Sequence, residues 1–165
     1  MSTPVSSLCE SVYPPGAMVL KGRFKATLES GGKVKQVVEG PNVVCTNGKE
    51  FLASFLNSAA AAAATFTCKY MGIGTDATAE AAANTTLGTE LARTTGTVSY
   101  VSNQIFQVTA TFVSGTGTGA IVEYGVFSSS ATGAGSSTML SRDVEAVINK
   151  GANDSLTVVY QLTIS

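Results

Sequence analysis

A chain of 165 residues with 44% hydrophobic residues suits one domain with a proper core, while a charged share of 13% is about half the usual one. His and Trp are both absent, which excludes Ser–His–Asp triads, Cys–His dyads and His-ligated zinc. A net charge of −1 argues against a general nucleic-acid binder.

With so little charge, part of the surface is expected to meet other protein. Cys9, Cys45 and Cys68 are odd in number and too widely spaced for a Cys-x-x-Cys knuckle, so they read as small buried thiols in a reducing compartment. The N-terminal residues offer neither a basic nor an apolar signal-peptide region. No run approaches the ~20 apolar residues that span a bilayer. The expectation is a soluble protein made in the cytoplasm.

Residues 1–15 read as an extended arm. Pro14-Pro15-Gly16 rules out helix or central strand there, yet Val5, Leu8, Val12 and Tyr13 are apolar enough to dock on a neighbour. Residues 16–165 form the domain. Residues 20–29 alternate strictly, with Leu20, Phe24, Ala26 and Leu28 on one face and Lys21, Arg23, Lys25 and Thr27 on the other. That period of two predicts a half-buried strand. Ser30-Gly31-Gly32 turns the chain, and residues 33–39 return it as a hairpin. Within residues 1–70, seven Lys/Arg face four acids; within residues 71–165, three face seven. Lys21, Arg23, Lys25, Lys33 and Lys35 therefore predict a basic docking face on the hairpin, residues 16–41.

Phe51, Leu52, Phe55 and Leu56 share one helical face over residues 47–57, with Thr46 or Asn47 as N-cap and Glu50 in the first turn. The six alanines of residues 59–64 either extend this helix or form a loop. Strands are then expected over residues 66–73, 95–101, 104–113, 120–128, 139–148 and 156–164. Ser102-Asn103 makes a turn, residues 115–119 and 128–138 make loops, and Arg142-Asp143 breaks the strand it lies in. Short strands at regular spacing with Gly-rich turns and one short helix predict an all-β fold, a β-sandwich of jelly-roll-like form.

Gly72-Ile73-Gly74 resembles a nucleotide-binding turn only superficially. No third glycine and no Lys-Ser/Thr follow, and Asp76 and Glu80 would repel a phosphate. The two glycines are instead expected to let the strand end bend, with residues 75–89 as a crossover loop pinned by Leu87, Glu90 and Arg93. Glu90, Glu123, Asp143 and Glu145 lack an accompanying nucleophile or metal cluster. Glu123 is expected to meet Arg93 and Arg142 in a partly buried ion-pair group. No enzyme, no cofactor and no metal is expected.

The segments NVVCTNGKEFLASFL, YMGIGTDAT, TTLGTELAR, IVEYGVFS, MLSRDV and INKGANDSLTVVYQLTI occur in that order. The order resembles a recurrent type of tailed-bacteriophage virion protein, over residues 42–165. Gly72, Gly74, Thr75, Leu87, Glu90, Arg93, Glu123, Gly125, Phe127, Leu140, Arg142 and Lys150 match it. The resemblance implies scaffold roles for these residues and a non-enzymatic virion component assembled in the host cytoplasm. The first choice is a capsid decoration (cement) protein on the major capsid protein shell, as a homotrimer, with neither nucleic acid nor membrane as partner. The alternatives are a tail-fibre, tail or baseplate module and, from another class, a carbohydrate-binding module, which the absent Trp disfavours.

Overall fold

The computed structural model describes residues 19–57, 68–102, 104–133 and 137–165, and in them alternation becomes strand. The chain runs β1 (Leu20–Ser30), β2 (Lys33–Val44), α1 (Thr46–Asn57), β3 (Tyr70–Gly74), β4 (Glu90–Thr95), β5 (Thr97–Ser102), β6 (Ile105–Phe112), β7 (Gly119–Phe127), β8 (Met139–Lys150) and β9 (Ser155–Ile164). The arm residues Val5, Leu8, Val12 and Tyr13, as well as Cys9, the alanine tract, Phe66 and Asn103, lie outside the described residues, as do the side chains of Phe55 and Leu56.

The strands form one antiparallel sheet of nine in the order β4-β3-β7-β8-β2-β1-β9-β6-β5. The sheet curls until β6 faces β3 and β4. Its two outermost strands are joined by Gly96 alone, whose N–H donates to Lys69 O at 2.7 Å. Glycine is required at this crossing, since a Cβ there would stand 2.6 Å from Val108 Cγ1.

Period two decides which side chains fill the curl. Phe24, Ala26 and Leu28 of β1, Val108, Ala110 and Phe112 of β6, and Leu156, Val158, Tyr160 and Leu162 of β9 are all buried in one core. Met71, Ile73, Tyr124 and Val126 enter it from the other half of the sheet. Burying each large side chain contributes about 1.5–3 kcal/mol before ordering costs. Ile164, which continues the alternation of β9, is exposed, because the sheet's rim is reached there.

Several local expectations are corrected. Residues 90–95 are strand, because Arg93 and its neighbours pair with β3. β2 runs on to Val44, so that Val43 and Val44 pair with Arg142 and Ser141 of β8. β8 is unbroken at Arg142-Asp143; its irregularity comes later, where Glu145, Ala146 and Val147 lie between the pairs Val144–Glu123 and Ile148–Ile121. The first helical bond of α1 runs from Lys49 N–H to Cys45 O, so Cys45 takes the cap position instead of Thr46 or Asn47, and Glu50 falls beyond the first turn. α1 lies against β8, with Gly48 directly on the Leu140 backbone and Phe51 and Leu52 packed on the main core.

Candidate functional site

The outer face of β4-β3-β7-β8 is covered by two loops, and each is held by a buried arginine. Gly72, Gly74 and Gly125 keep ordinary negative φ. They are glycine for space and not, as expected, for bending. A Cβ at Gly72 or Gly125 would meet Phe127 at 2.9 Å, and one at Gly74 would overlap Glu123 Oε1 and Thr89 O. Into that room fold Leu87, Phe127, Met139 and Cys45, a small second core on the outer side.

Glu123 is 0% exposed and lies opposite Gly74 in register. Its carboxylate accepts backbone N–H groups from Asp76 (3.2 Å), Gly88 (2.9 Å) and Thr89 (2.7 Å). It also accepts Arg142 Nε (3.2 Å) and Nη2 (3.0 Å). Both ends of the loop over residues 75–89 thus close on one buried charge. Arg142 carries the pattern outward, donating through Nη1 to Thr78 O (2.9 Å) and Asn84 Oδ1 (3.3 Å), with Asp76 Oδ2 at 3.6 Å from Nη2. Asp76 in turn accepts the N–H and hydroxyl of Thr78, which hold its carboxyl below the usual range, with Arg142 helping. The Asp-x-Thr spacing is the sequence signal of this Asx-type turn, which composition and periodicity leave unmarked.

Arg93 does not join Glu123. Its strand places it beside Glu90, which takes Nε and Nη2 in a two-pronged pair at 2.7 Å each. The guanidinium stacks 3.5 Å above the Phe127 ring. Nη1 donates to Ser129 O, Ala131 O and Ser137 Oγ, so this arginine holds the loop after β7. The expected group of three is therefore two separate pairs, Glu123–Arg142 and Glu90–Arg93. Strand register puts them over different loops.

A third fastening lies at the far end of β8. Buried Lys150 donates to Val113 O (3.1 Å) and Asp154 O (2.8 Å), and burial lowers its pKa, with Asp154 opposing. The Asp154 carboxylate accepts Lys35 (2.9 Å) and the Gly151 N–H (2.9 Å). These bonds hold its pKa down at about 2.

The basic hairpin divides. Lys21, Arg23 and Lys25 point outward from β1, all exposed. Glu39 stands opposite Lys25 and takes Arg23 at 2.8 Å and Lys25 at 3.9 Å. A bulge at Leu28/Glu29 changes the register before Lys33 and Lys35, and Lys35 turns to Asp154. The five thus do not add up to one uniformly basic face. Cys45 and Cys68 are buried free thiols, pushed up by burial to about 11 and about 12, which keeps them protonated and unreactive.

The pairs Glu123–Arg142 and Glu90–Arg93 together form a clasp whose charged groups face one another and the backbone of the two loops. Compared with known protein families, with curated proteins and with solved structures, the chain matches none.

Proposed function

We propose that this chain is a non-enzymatic structural protein of a tailed-bacteriophage virion, in the first place a capsid decoration protein that binds and stabilises the major capsid protein shell as a homotrimer. On this reading the curled sheet works as a β-sandwich with a jelly-roll-like outline. The observation that carries it is the unequal treatment of the two outer faces. Over β4-β3-β7-β8 the charged residues of the virion-like motif order, Glu90, Arg93, Glu123 and Arg142, hold loops down. Over β1-β9-β6-β5 none of the outward side chains of β1, β6 and β9 is buried: each is exposed or half-buried.

That second face is broad and weakly charged. Thr27, Thr157 and Thr111 stand in one row, the last two 3.0 Å apart, and Gln161 donates to Gln107 at 2.7 Å. At the sheet's edge β5 presents Val101 and, in register with the inward-facing Phe106 and Val108, Tyr100, 85% exposed, and Val98. Unpaired strand edges and apolar side chains of this kind suit contact with another protein. Lys21, Arg23 and Lys25 rim the same face and would favour an acidic partner surface.

The test is the composition of the particle. Mass spectrometry of purified virions should find the chain at hundreds of copies, and purified protein should rebind particles stripped of it. A handful of copies would point to the tail or baseplate instead. Absence from virions, or glycan binding without particle binding, would defeat the proposal.

A further inference from the structure

The sheet has two edge strands, β4 and β5, and the sequence treats them differently. β4 carries two charges, Glu90 and Arg93, engaged with each other and with the loop after β7. Charged side chains on an edge strand discourage the addition of a further strand. β5, with the sequence TVSYVS, has neither a charge nor a proline, and five of its six residues are exposed. The whole of residues 94–122 around it lacks Lys, Arg, Asp and Glu. β5 pairs with β6 along one side. Among the described residues, no backbone group bonds to its other side. The bond from Gly96 N–H to Lys69 O closes the edge just before β5 begins. Val101 is bulged between the pairs Tyr100–Phe106 and Ser102–Ile105, which leaves Thr97 to Tyr100 as the regular part of the edge.

Val98 and Tyr100 follow the inward phase of the sheet, opposite Val108 and Phe106. Val108 is buried in the core, whereas Val98 and Tyr100 are exposed, so β5 runs past the end of the core. An antiparallel strand laid along the open edge would supply what is missing there. It would give partners to the outward backbone groups and set a side chain directly opposite each of β5's own, on the same face.

The strand that fits is β5 itself. A two-fold axis perpendicular to the sheet keeps inward residues inward only if it passes through a residue position, because facing alternates with a period of two. Centred on Ser99, it sets Ser99 opposite Ser99 of the second copy and Val98 opposite Tyr100. The symmetry makes that aromatic–β-branched pair twice. Centring on Tyr100 would draw the bulged Val101 into the middle of the ladder. An uncharged stretch brings no like charges together when it meets its own copy, and it offers a charged foreign segment no complement.

We infer that β5 is a self-pairing edge, through which two copies of this chain join antiparallel about a two-fold axis at Ser99 and continue one sheet into the other. This contact joins chains in pairs, so it differs from any threefold contact of the proposed homotrimer. It stands on the strand itself and not on the virion reading.

One strand pair is a small interface, so dissociation is expected at about 0.1–1 mM chain. Sedimentation velocity of the full chain, from about 10 μM to about 1 mM, should show the sedimentation coefficient climbing toward that of a dimer. Tyr100→Lys, at an exposed position, should hold it at the monomer value throughout. Val34→Lys makes the same charge change at an exposed position on β2 and should behave as the parent does. Cross-linking reads the register, in a Cys9→Ser chain so that only the buried Cys45 and Cys68 remain. There Ser99→Cys should form a disulfide-linked dimer under copper–phenanthroline, since opposite residues bring their Cβ atoms within bridging range. Thr97→Cys, which the same register sets opposite Val101, should not. A parent that stays monomeric at 1 mM overturns the proposal, and so does equal linking of Thr97→Cys. The same assembly in Tyr100→Lys as in the parent, a trimer included, overturns it too and leaves the virion reading standing.

Discussion

The two halves of the curled sheet share one core and differ in everything outside it. β4-β3-β7-β8 has its outer face under loops, fastened by Glu123–Arg142 and Glu90–Arg93 with side chains 15% exposed or less. β1-β9-β6-β5 has an open outer face, where the pair Arg23–Glu39 is 58% and 43% exposed. The same kind of bond therefore has different worth in the two places. A buried charge stripped of its partner costs about 3–5 kcal/mol, whereas an exposed pair contributes roughly 0–1 kcal/mol.

The largest expected effect falls on the clasp. Glu123→Ala strands Arg142 and releases three backbone N–H groups, so urea unfolding should show a loss of about 3–5 kcal/mol. Hydrogen exchange at Asp76, Gly88 and Thr89 should accelerate even where the fold survives. A loss under ~1 kcal/mol would erase the distinction between the halves.

Next comes a pH effect at the boundary of the two halves. Burial, with Glu145 and Glu80, raises Asp143 from 3.8 to about 7. The folded state therefore holds this proton more tightly than the unfolded state does. The resulting stability is full below the unfolded value and is lost as pH rises toward the folded one. Stability should fall by roughly 2–3 kcal/mol between pH 5 and pH 8, and Asp143→Asn should flatten that slope. Below pH 4 the trend reverses, because Asp154, held at about 2, then loses its bonds to Lys35 and Gly151.

A steric prediction follows in size. A Cβ at Gly48 would stand 2.7 Å from Leu140 Cα, backbone that cannot turn aside. Gly48→Ala should cost about 1–3 kcal/mol by lifting α1 from β8, measurable as a lowered thermal midpoint.

The smallest stability effects belong to the open half, and they sharpen the comparison most. Arg23→Ala, Thr111→Ala and Tyr100→Ala should each stay within about 0.5 kcal/mol of the parent, yet weaken rebinding to particles. Unchanged rebinding in all three would move the contact off this half of the sheet.

What could be read from the sequence was the alternation. In β1, β6 and β9 it determined both strand and inward face, because side-chain direction along a strand is a local property of the backbone. It also marked Glu123 and Arg142 as charges within apolar strands, hence as candidates for each other. Partner choice depended on register. The motifs joined Arg93 to Glu123 and Arg142, and only the pairing of β4 with β3 turned it to Glu90 and away from Glu123. The strand character of residues 90–95 was likewise invisible, since its exposed and half-buried positions do not alternate; an edge strand is made by the neighbour it bonds to. The burial of Asp143 had no local signal at all. It follows from where β2 leaves β8, and that separation is set by the curl of the whole sheet, which brings together residues a hundred positions apart and is encoded in no short stretch of the chain.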